Sequence, residues 1–519
     1  MGEEKKGAAG SSGNSENSGI GKNGGNSGSG KNSGSGGNGR SGGKGGKDGG
    51  NGGMLRAAAS GARSFARAVA GGLSETGRAF AKGDAFTRLS FLVMGSGCCA
   101  RAQFVKGMLY FASELAYFAY MISFGLFYLS RFGTLGTSTF NRVWDEANQI
   151  YINVQGDNSM LILLYGVLTI FVTVLFVFLY LANTRTAYRL QRMAAEGRRP
   201  PSFLSELKAL ADSRLHVTLL GLPAVGVMAF TVLPLVFMIL IAFTNFDRAH
   251  QPPGNLFTWV GLQNFRDVFW DEPLKSATFF GMLGWTLIWA VFATFLNYIF
   301  GMVVALMINK KSIKLKGMWR FCFVLSIAVP AFVTLLLMRQ ILDDQGVVNV
   351  FLQNVLRATG APVRFLNDAF LAKIVVIVVN LWIGIPYTML ITSGILMNIP
   401  ADLYEAARID GARPIRQFVS ITMPYMLFVT TPYLITQFIG NINNFNAIYF
   451  LTGGGPNTLD YYQGGKTDLL VTWLYKLTVN QQDYNLASTI GILIFVVCAF
   501  VSLVTFNLTS SAKKEETFS

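Results

Sequence analysis

Long apolar runs separated by short polar segments dominate the chain from residue 108 onward. Each run is near or above the ~20 residues that a helix needs to cross the hydrocarbon core of a bilayer. The pattern therefore predicts an all-α polytopic membrane protein with eight transmembrane spans, at residues 108–130, 160–182, 217–242, 281–308, 319–338, 373–397, 425–450 and 487–508. Prolines inside several spans predict kinks that neighbouring helices must accommodate; they are Pro223, Pro234, Pro330, Pro386 and Pro432.

The segments outside these runs have different compositions. Residues 1–53 are almost entirely Gly, Ser, Asn and Lys, which cannot bury enough apolar area to offset ordering entropy, so we predict a disordered tail. Residues 54–107 are rich in Ala, Arg and Gly and predict either a basic helix on the cytoplasmic lipid surface or a solvated juxtamembrane linker. We then expect two accessory helices with a cytoplasmic loop at 108–216, a six-helix core at 217–510, and a cytoplasmic tail at 511–519.

Composition excludes a single soluble domain, since 51% of the 519 residues are hydrophobic and 14% are charged. The net charge of +15 comes mostly from the tail and the loops. It is accompanied by no aromatic-basic motif, so we expect no nucleic-acid partner. Lys and Arg are more frequent in the loops that share a side with both termini. This bias predicts that both termini of the multi-pass protein are cytoplasmic.

Few residues offer catalytic or metal chemistry. The four cysteines have no CxxC spacing and there are two histidines, which argues against a metal site or a disulfide framework. The tail segment GNSGSGKN, residues 25–32, approaches a phosphate-binding loop but ends in Asn32 where Ser or Thr is required. We therefore expect no cofactor and no bound nucleotide.

One predicted cytoplasmic segment, ADLYEAARIDGARPIRQFVSITMP at 401–424, is charged and compact. Asp402 followed by Glu405 predicts an acidic variant of a capping box, and Gly411 predicts a left-handed helix end. Pro414 predicts the start of a second helix, which Pro424 ends before the seventh span. Two short helices joined at a glycine would form a projection that fits a groove on a soluble partner.

This segment resembles a known element. EAARIDGA, residues 405–412, followed through ITMP at 421–424, is similar to the EAA loop of binding-protein-dependent ABC importer permeases. In that family the loop docks in a cleft of a cytoplasmic ATPase subunit, and its glutamate lies near a basic residue of that subunit. For Glu405, helix capping is the alternative role. The resemblance implies ATPase coupling at Glu405, Ala406, Ala407, Gly411, Ala412 and Pro424.

Two further stretches narrow the resemblance to maltose-type sugar permeases. NINNFNAIYFLTGGGPN at 441–457 is similar to their seventh span and following loop, and FTNFDRAHQPPGNLFTWVGLQNF at 243–265 is similar to their extracellular segment after the third span. The best-known member of that family carries a large folded insertion in this segment, and this chain lacks it. The resemblance implies a type I ABC importer permease fold in a prokaryotic cell membrane. It also implies a second homologous permease subunit, two copies of a cytoplasmic ATPase, and an extracellular sugar-binding protein.

A sugar path needs amides or hydroxyls that replace water, and aromatic faces that pack on sugar rings. The seventh span carries Asn441, Asn443 and Asn444, which are costly in lipid unless they line a cavity or pair with other helices. Asn441 and Asn444 are three residues apart and share a helix face, whereas Asn443 points elsewhere. The resemblance implies that a maltose- or maltodextrin-like oligosaccharide is contacted from Gly384, Tyr387, Asn441 and Asn444. Interhelical bonding is the alternative for these side chains.

Three function classes compete. A permease subunit that is moved by a separate ATPase and alternates access to a midplane site accounts for the 401–424 segment. An ion-coupled secondary sugar transporter would need an intramembrane ionisable group, for which Glu114 is the candidate; a helix-pair hydrogen bond or a headgroup-level position also explains this residue. A membrane enzyme would need convergent acidic, His or Cys side chains. The sequence favours the non-catalytic permease.

Overall fold

The computed structural model describes residues 71–72, 74–146, 148–154, 156–310, 312–355, 357 and 360–508. The predicted disordered tail at 1–53, the first part of the 54–107 segment and the C-terminal tail at 511–519 lie outside the described residues.

Seven continuous helices and one bent pair form the membrane region, in agreement with the eight predicted spans. The continuous helices are Phe104–Arg131, Ser159–Ala195, Leu215–Ile241, Pro273–Asn309, Ala369–Leu396, Pro414–Ile442 and Tyr484–Thr505. We call them the first, second, third, fourth, sixth, seventh and eighth spans. The bent pair, Lys316–Ala328 and Ala331–Ile341, is the fifth span.

The fifth span, predicted at 319–338 with a kink at Pro330, is broken at that proline. Its two halves differ in direction by 86°. Val329 leaves the helical region, with ψ at 123°, and Pro330 precedes the second half. A residue before proline is pushed toward extended backbone because the proline ring crowds it, so the break follows from the sequence at Pro330. Pro223, Pro386 and Pro432 instead remain inside helices.

Several spans are divided by π turns, where the backbone bonds widen from four to five residues. The first span comprises Phe104–Tyr120, Met121–Gly125 and Leu126–Arg131, and the third comprises Leu215–Val227, Met228–Val232 and Leu233–Ile241. Residues 74–82 are also helical. Other helices and turns are Ala85–Leu89, Ser96–Cys99, Phe203–Ala211, Gln263–Arg266, Asp267–Asp271, Val347–Val350, Phe351–Val355, Ala401–Ile409, Phe445–Leu451, Leu470–Tyr475 and Lys476–Gln481. Strands β1, Asn141–Asp145, and β2, Ile150–Val154, pair antiparallel between the first two spans.

The fourth span is the centre of the fold. In its most apolar window 44% of residues are buried, against 6% in the third span. Trp289 on the fourth span is fully buried among side chains of the sixth span and of Phe445–Leu451. The third span instead presents most of its apolar side chains to its surroundings, which suits lipid or a second protein chain.

Residues 85–103 fold back against the first two spans. The backbone N–H of Met94 donates to Glu114 Oε2 at 2.8 Å. Asn183 accepts from the N–H of Gly95 at 3.0 Å and donates to the carbonyl of Ser90 at 3.0 Å. Both alternatives predicted for the 54–107 segment are wrong for this part of it. It is neither a single lipid-surface helix nor a solvated linker, because buried polar side chains of the spans bond its backbone. Glu114 accepts the bond from Met94 in the backbone of a turn, so among the described residues it does not form the helix-pair hydrogen bond that was one of its two structural alternatives.

The start of the first span and the loop after the second lie at the same end of the fold, since Lys106 Nζ is 2.8 Å from Glu206 Oε2. Because the spans alternate in direction, the connection from the fourth to the fifth span and the 401–424 segment share this end. Arg320 Nη2 donates to Asn309 Oδ1 at 2.5 Å, and Asn309 Nδ2 donates to Ser393 Oγ at 3.1 Å. These bonds tie the ends of the fourth and sixth spans to the start of the fifth.

Candidate functional site

A polar cavity of about 150 Å³ lies between the fourth, sixth and seventh spans. All four residues that the resemblance assigns to substrate contact line it. The amide, hydroxyl and small residues around it are Ala293, Thr294, Asn297, Asn380, Gly384, Tyr387, Thr388, Tyr433, Leu434, Gln437, Asn441 and Asn444. Such a density of polar groups inside apolar helices is costly unless they serve each other or a ligand.

The seventh span ends inside the predicted helix, so the prediction of one span over 425–450 is wrong at both ends. The helix begins at Pro414 and stops at Ile442, and Phe445–Leu451 forms a separate helix. Asn444 caps that helix, because its Oδ1 accepts from the N–H of Ala447 at 3.2 Å. An asparagine side chain that bonds the backbone in this way competes with helix continuation.

Asn441 is held by the fourth span. Its Nδ2 donates to Thr294 Oγ1 at 2.9 Å, and its backbone carbonyl accepts from Trp289 Nε1 at 3.1 Å. Asn444 Nδ2 lies 3.4 Å from Asn441 Oδ1, so the two amides remain neighbours despite the helix break. Asn443 is exposed and its Nδ2 lies 3.5 Å from Cys498 Sγ, away from the cavity, as predicted.

Gly384 lies where the sixth span crosses the fourth. A Cβ atom at this position would be 2.5 Å from Asn297 Nδ2, so a larger residue would require the Asn297 amide to move. One turn further along, Thr388 Oγ1 donates to the carbonyl of Asn297 at 2.8 Å. Gly384 therefore shapes the cavity wall by bringing the spans together. Tyr387 lies at the rim with 49% of its surface exposed.

Three polar atoms of the cavity residues are buried without a hydrogen-bond partner among the described residues: Asn297 Oδ1, Asn380 Nδ2 and Tyr433 Oη. A buried polar atom that lacks a partner costs ~1–3 kcal/mol, and native proteins contain few of them. One acceptor, one donor and one hydroxyl are thus available to a polar ligand within a single cavity.

Sequence reasoning missed the contribution of the fourth span to this cavity. Thr294, Asn297 and Gly301 recur at helical spacing, and the same stripe faces Thr388 of the sixth span. This stripe of polar and small residues in an otherwise apolar span was the available signal. Tyr433 was also missed, because a tyrosine in a membrane helix is unremarkable until its hydroxyl is located.

The 401–424 segment forms the predicted glycine-linked helix pair. Gly411 has φ at +74°, its N–H donates to the carbonyl of Arg408 at 3.0 Å, and the N–H of Ala412 donates to that of Ala407 at 2.9 Å. These are the two bonds of a Schellman helix end, which requires a left-handed residue. The second helix starts at Pro414, also as predicted.

Two details of this segment differ from prediction. The first helix, Ala401–Ile409, begins after Pro400 without a side-chain cap, so Asp402 is not the cap and no capping box forms. Pro424 does not end the second helix, which continues into the seventh span. The π turn Phe418–Thr422 precedes Pro424; its wider winding displaces the carbonyl with which a proline ring would clash in an α-helix.

The helix pair is internally braced and has an apolar, exposed tip. Tyr404 Oη lies 2.8 Å from Thr422 Oγ1, and Gln417 Nε2 donates to the carbonyl of Ala412 at 2.8 Å. Ile409 and Ile415 are 87% and 79% exposed. Among the described residues the carboxylate of Glu405, which is exposed, has no ion-pair partner. The structure thus leaves the charge and both isoleucines accessible to another protein.

On the opposite end, the glycines after the seventh span form a turn. Gly453 and Gly454 have positive φ, and a Cβ atom on Gly454 would overlap Asp468. Asp468 is fully buried and its Oδ2 lies 2.6 Å from Lys476 Nζ. This buried pair holds the loop 452–469 against the helix that follows it.

Known proteins resemble the chain over most of its length. A sequence profile of the family described as "Binding-protein-dependent transport system inner membrane component" matches residues 297–511. The galactooligosaccharides transport system permease protein GanP of Bacillus subtilis is 34% identical over 430 residues, covering 82% of this chain and 97% of that protein. The maltodextrin transport system permease protein MdxF of the same organism is 34% identical over 433 residues, covering 82% and 95%.

Two further relatives match a smaller share of the chain. The maltose/maltodextrin transport system permease protein MalF of Vibrio parahaemolyticus is 36% identical over 259 residues, covering 49% of each chain. A crystal structure of a bacterial ABC transporter involved in the import of the acidic polysaccharide alginate contains a chain with 20% identity and a TM-score of 0.46, covering 59% of this chain and 98% of that one. The long matches with the Bacillus permeases decide the assignment: the chain belongs to the family of binding-protein-dependent transport system inner membrane components, within the maltose-type sugar ABC transporter permeases.

Proposed function

We propose that the chain is the permease subunit of an ABC importer for maltose- or maltodextrin-like oligosaccharides. The observation that carries the proposal is the cavity between the fourth, sixth and seventh spans, where Gly384, Tyr387, Asn441 and Asn444 converge. Amides supply donors and acceptors to sugar hydroxyls, and the ring of Tyr387 supplies an apolar face at the rim. The permeases of similar sequence named above are those of galactooligosaccharide and maltodextrin systems.

The size of the cavity supports a two-subunit site. Its volume of about 150 Å³ is below the ~300–1,000 Å³ of ordinary ligand pockets. An oligosaccharide would therefore extend past the rim at Tyr387, and a second homologous permease subunit would supply the facing wall. An extracellular sugar-binding protein would deliver the sugar to this pair from the end opposite the 401–424 segment.

Two cytoplasmic ATPase copies would drive the transport cycle, and one of them would bind the 401–424 segment. We place this segment and both termini in the cytoplasm, with coupling residues Glu405, Ala406, Ala407, Gly411, Ala412 and Pro424. Glu405 would pair with a basic residue of the ATPase, and the exposed isoleucines would enter its cleft. Surface ion pairs contribute ~0–1 kcal/mol, so burial of the isoleucines in the cleft would supply most of the binding free energy.

The connection between motor and site supports alternating access. Pro414–Ile442 is helical without interruption, a rod ~43 Å long at 1.5 Å per residue, and Asn441 lies near its far end. Because a helix transmits displacement along its length, movement of the segment by the ATPase shifts Asn441 relative to Thr294 of the fourth span. The chain itself would hydrolyse nothing.

Reconstituted transport tests this function. The complex of this chain with its partner permease and ATPase would be placed in vesicles, and maltodextrin uptake and ATP hydrolysis measured with the binding protein present. We expect both to be stimulated together and to vanish when the ATPase is inactivated by mutation. Uptake that survives ATPase inactivation and collapses with an ionophore would instead establish an ion-coupled transporter.

A further inference from the structure

A cleft of about 250 Å³ lies beside the end of the second span and gathers five arginines around its wall. Three of them, Arg185, Arg189 and Arg192, follow one face of the second span at helical spacing. Arg78 comes from the segment before the first span, and Arg198 from the loop after the second. Segments distant in sequence thus converge on one basic site that takes no part in the sugar path.

The carboxylates present do not neutralise this cleft. Two glutamates line it, and their distances to the arginines are longer than a hydrogen bond. Arg185 Nε lies 4.0 Å from Glu75 Oε2, and Arg198 Nε lies 3.6 Å from Glu196 Oε2. The other three arginines make no ion pair with any described residue. Guanidinium groups held together repel one another, so an anion that bridges them stabilises the arrangement.

Arg185 marks the inner end of the cleft. Its Nε is buried and has no hydrogen-bond partner among the described residues. The side chain is 36% exposed, and Gly72 packs against its Nη2 atom, so the guanidinium is partly open to the cleft. A buried donor of this kind is satisfied by a charged acceptor that enters from outside, and guanidinium binds phosphate oxygens in bidentate geometry.

The position of the cleft favours a lipid headgroup as the source of the phosphate. The apolar stretch of the second span ends at Ala182, and the helix continues to Ala195. Arg185 therefore lies ~4.5 Å past the apolar boundary and Arg192 ~15 Å past it. This range coincides with the headgroup layer, where basic pockets beside membrane helices bind anionic lipids.

We propose that this arginine cleft binds the phosphodiester of an anionic phospholipid on the side of the membrane that carries the 401–424 segment. Arg185 receives one phosphate oxygen, and Arg189 and Arg192 flank the remaining charge. Tyr188, on the same wall, contributes a hydroxyl and a ring at the depth where aromatic residues prefer the interface. The site is separate from the sugar cavity and does not depend on the proposed transport function.

Native mass spectrometry of the purified full-length chain tests the site, with phosphatidylglycerol as the probe and zwitterionic phosphatidylethanolamine as the reference lipid. The test variant is Arg189→Gln with Arg192→Gln, because both side chains are exposed and unpaired among the described residues, so folding is preserved. The matched control is Arg199→Gln with Arg214→Gln, which removes the same charge from exposed positions at the same end but outside the cleft.

We expect the native chain to retain one phosphatidylglycerol in preference to phosphatidylethanolamine. The test variant should bind it roughly 30-fold more weakly, in line with the usual contribution of two basic residues near an anionic surface, and the control should bind it as the native chain does. Equal losses in the two variants would show a diffuse basic surface and overturn the site, as would unchanged binding in both.

A second arm separates lipid from soluble phosphate. Inorganic phosphate and pyrophosphate are added at millimolar concentration to the lipid-loaded chain. Retention of phosphatidylglycerol supports the membrane source. Displacement by phosphate, dependent on Arg189 and Arg192, would overturn the lipid assignment in favour of a soluble phosphate ligand. Loss of ATPase co-purification in the test variant, without any change in lipid binding, would identify a protein interface and overturn the proposal.

Discussion

Asn441 Nδ2 lies 2.9 Å from Thr294 Oγ1, so the seventh span is hydrogen-bonded to the fourth within the candidate sugar cavity. The bond joins the helix that continues into the 401–424 segment to the most buried helix of the fold. A displacement of the seventh span relative to the fourth would therefore break or rearrange a contact in the cavity wall.

Replacing Asn441 with Ala should weaken sugar binding and leave the complex assembled. The amide lines the cavity and is bonded to Thr294 and Asn444, and loss of hydrogen bonds from a buried site costs ~0.5–1.5 kcal/mol each. We expect a severalfold rise in the sugar concentration needed for half-maximal stimulation of ATP hydrolysis. Asn443→Ala is the matched control, because Asn443 points away from the cavity. Equal effects of both changes would assign Asn441 to helix packing alone.

Gly411→Val should uncouple ATP hydrolysis from transport. Gly411 adopts φ at +74°, a conformation that costs other residues ~1–2 kcal/mol and β-branched residues more. A Cβ atom there meets no described atom within 4 Å, so the effect is conformational and not steric. Asn tolerates the left-handed region, and Gly411→Asn should therefore retain most coupling. Normal sugar uptake by an assembled Gly411→Val complex would contradict the role of this turn.

Gly384→Ala should destabilise the protein, whereas Gly394→Ala in the same helix should not. The added methyl at Gly384 overlaps the Asn297 amide, and overpacking of this kind costs ~1–3 kcal/mol. At Gly394 a Cβ atom meets no described atom within 4 Å, and alanine there improves helix propensity. The midpoint of thermal unfolding in detergent measures the difference. Identical midpoints would show that the two spans separate easily at Gly384.

The loop before the second span should loosen at low pH. The N–H groups of Thr137 and Ser138 donate to Asp157 Oδ2 at 3.0 and 3.2 Å, and Arg131 pairs with the same carboxylate. The hydrogen bond from Thr137, together with the bond from Ser138 and the charge of Arg131, holds the pKa of Asp157 below its ordinary value near 4. A depressed carboxyl pKa stabilises the folded state above the unfolded pKa, and this contribution is lost as the pH falls through the folded value.

Hydrogen exchange measures this loosening. Protection of the peptide containing Thr137 and Ser138 should persist at pH 5 and above, and decrease below about pH 4 after correction for intrinsic rates. Asp157→Asn should reduce protection at neutral pH and abolish the pH dependence. A pH-dependent loss that persists in Asp157→Asn would place the titrating group elsewhere.

Much of the candidate site could be predicted from the sequence. The asparagines of the seventh span stand out because amides in lipid demand partners, and their spacing correctly separated Asn441 from Asn443. Gly411 and Pro414 specified their turn because few other residues suit those backbone positions. The contribution of the fourth span was missed, since Thr294 and Asn297 are individually ordinary in a membrane helix. Their role in the cavity is visible only from their contacts with the sixth and seventh spans.

Local chemistry decided the helix boundaries that the hydropathy pattern could not. Asn444 ended the seventh span by capping the next helix, and the π turn before Pro424 let that span begin inside the 401–424 segment. Both outcomes depend on hydrogen bonds a few residues away. Average hydropathy over a window does not detect such bonds.

The sequence by itself determined the number of spans, the glycine turn at 411 and the family of the chain, because hydrophobic length and backbone-restricted residues act locally. Only the tertiary structure decided which polar groups share a cavity, that the fourth span is its wall, and that five arginines from three segments surround one cleft. These are contacts between residues far apart in the chain. Their energies depend on distance and burial, which exist only once the helices have packed.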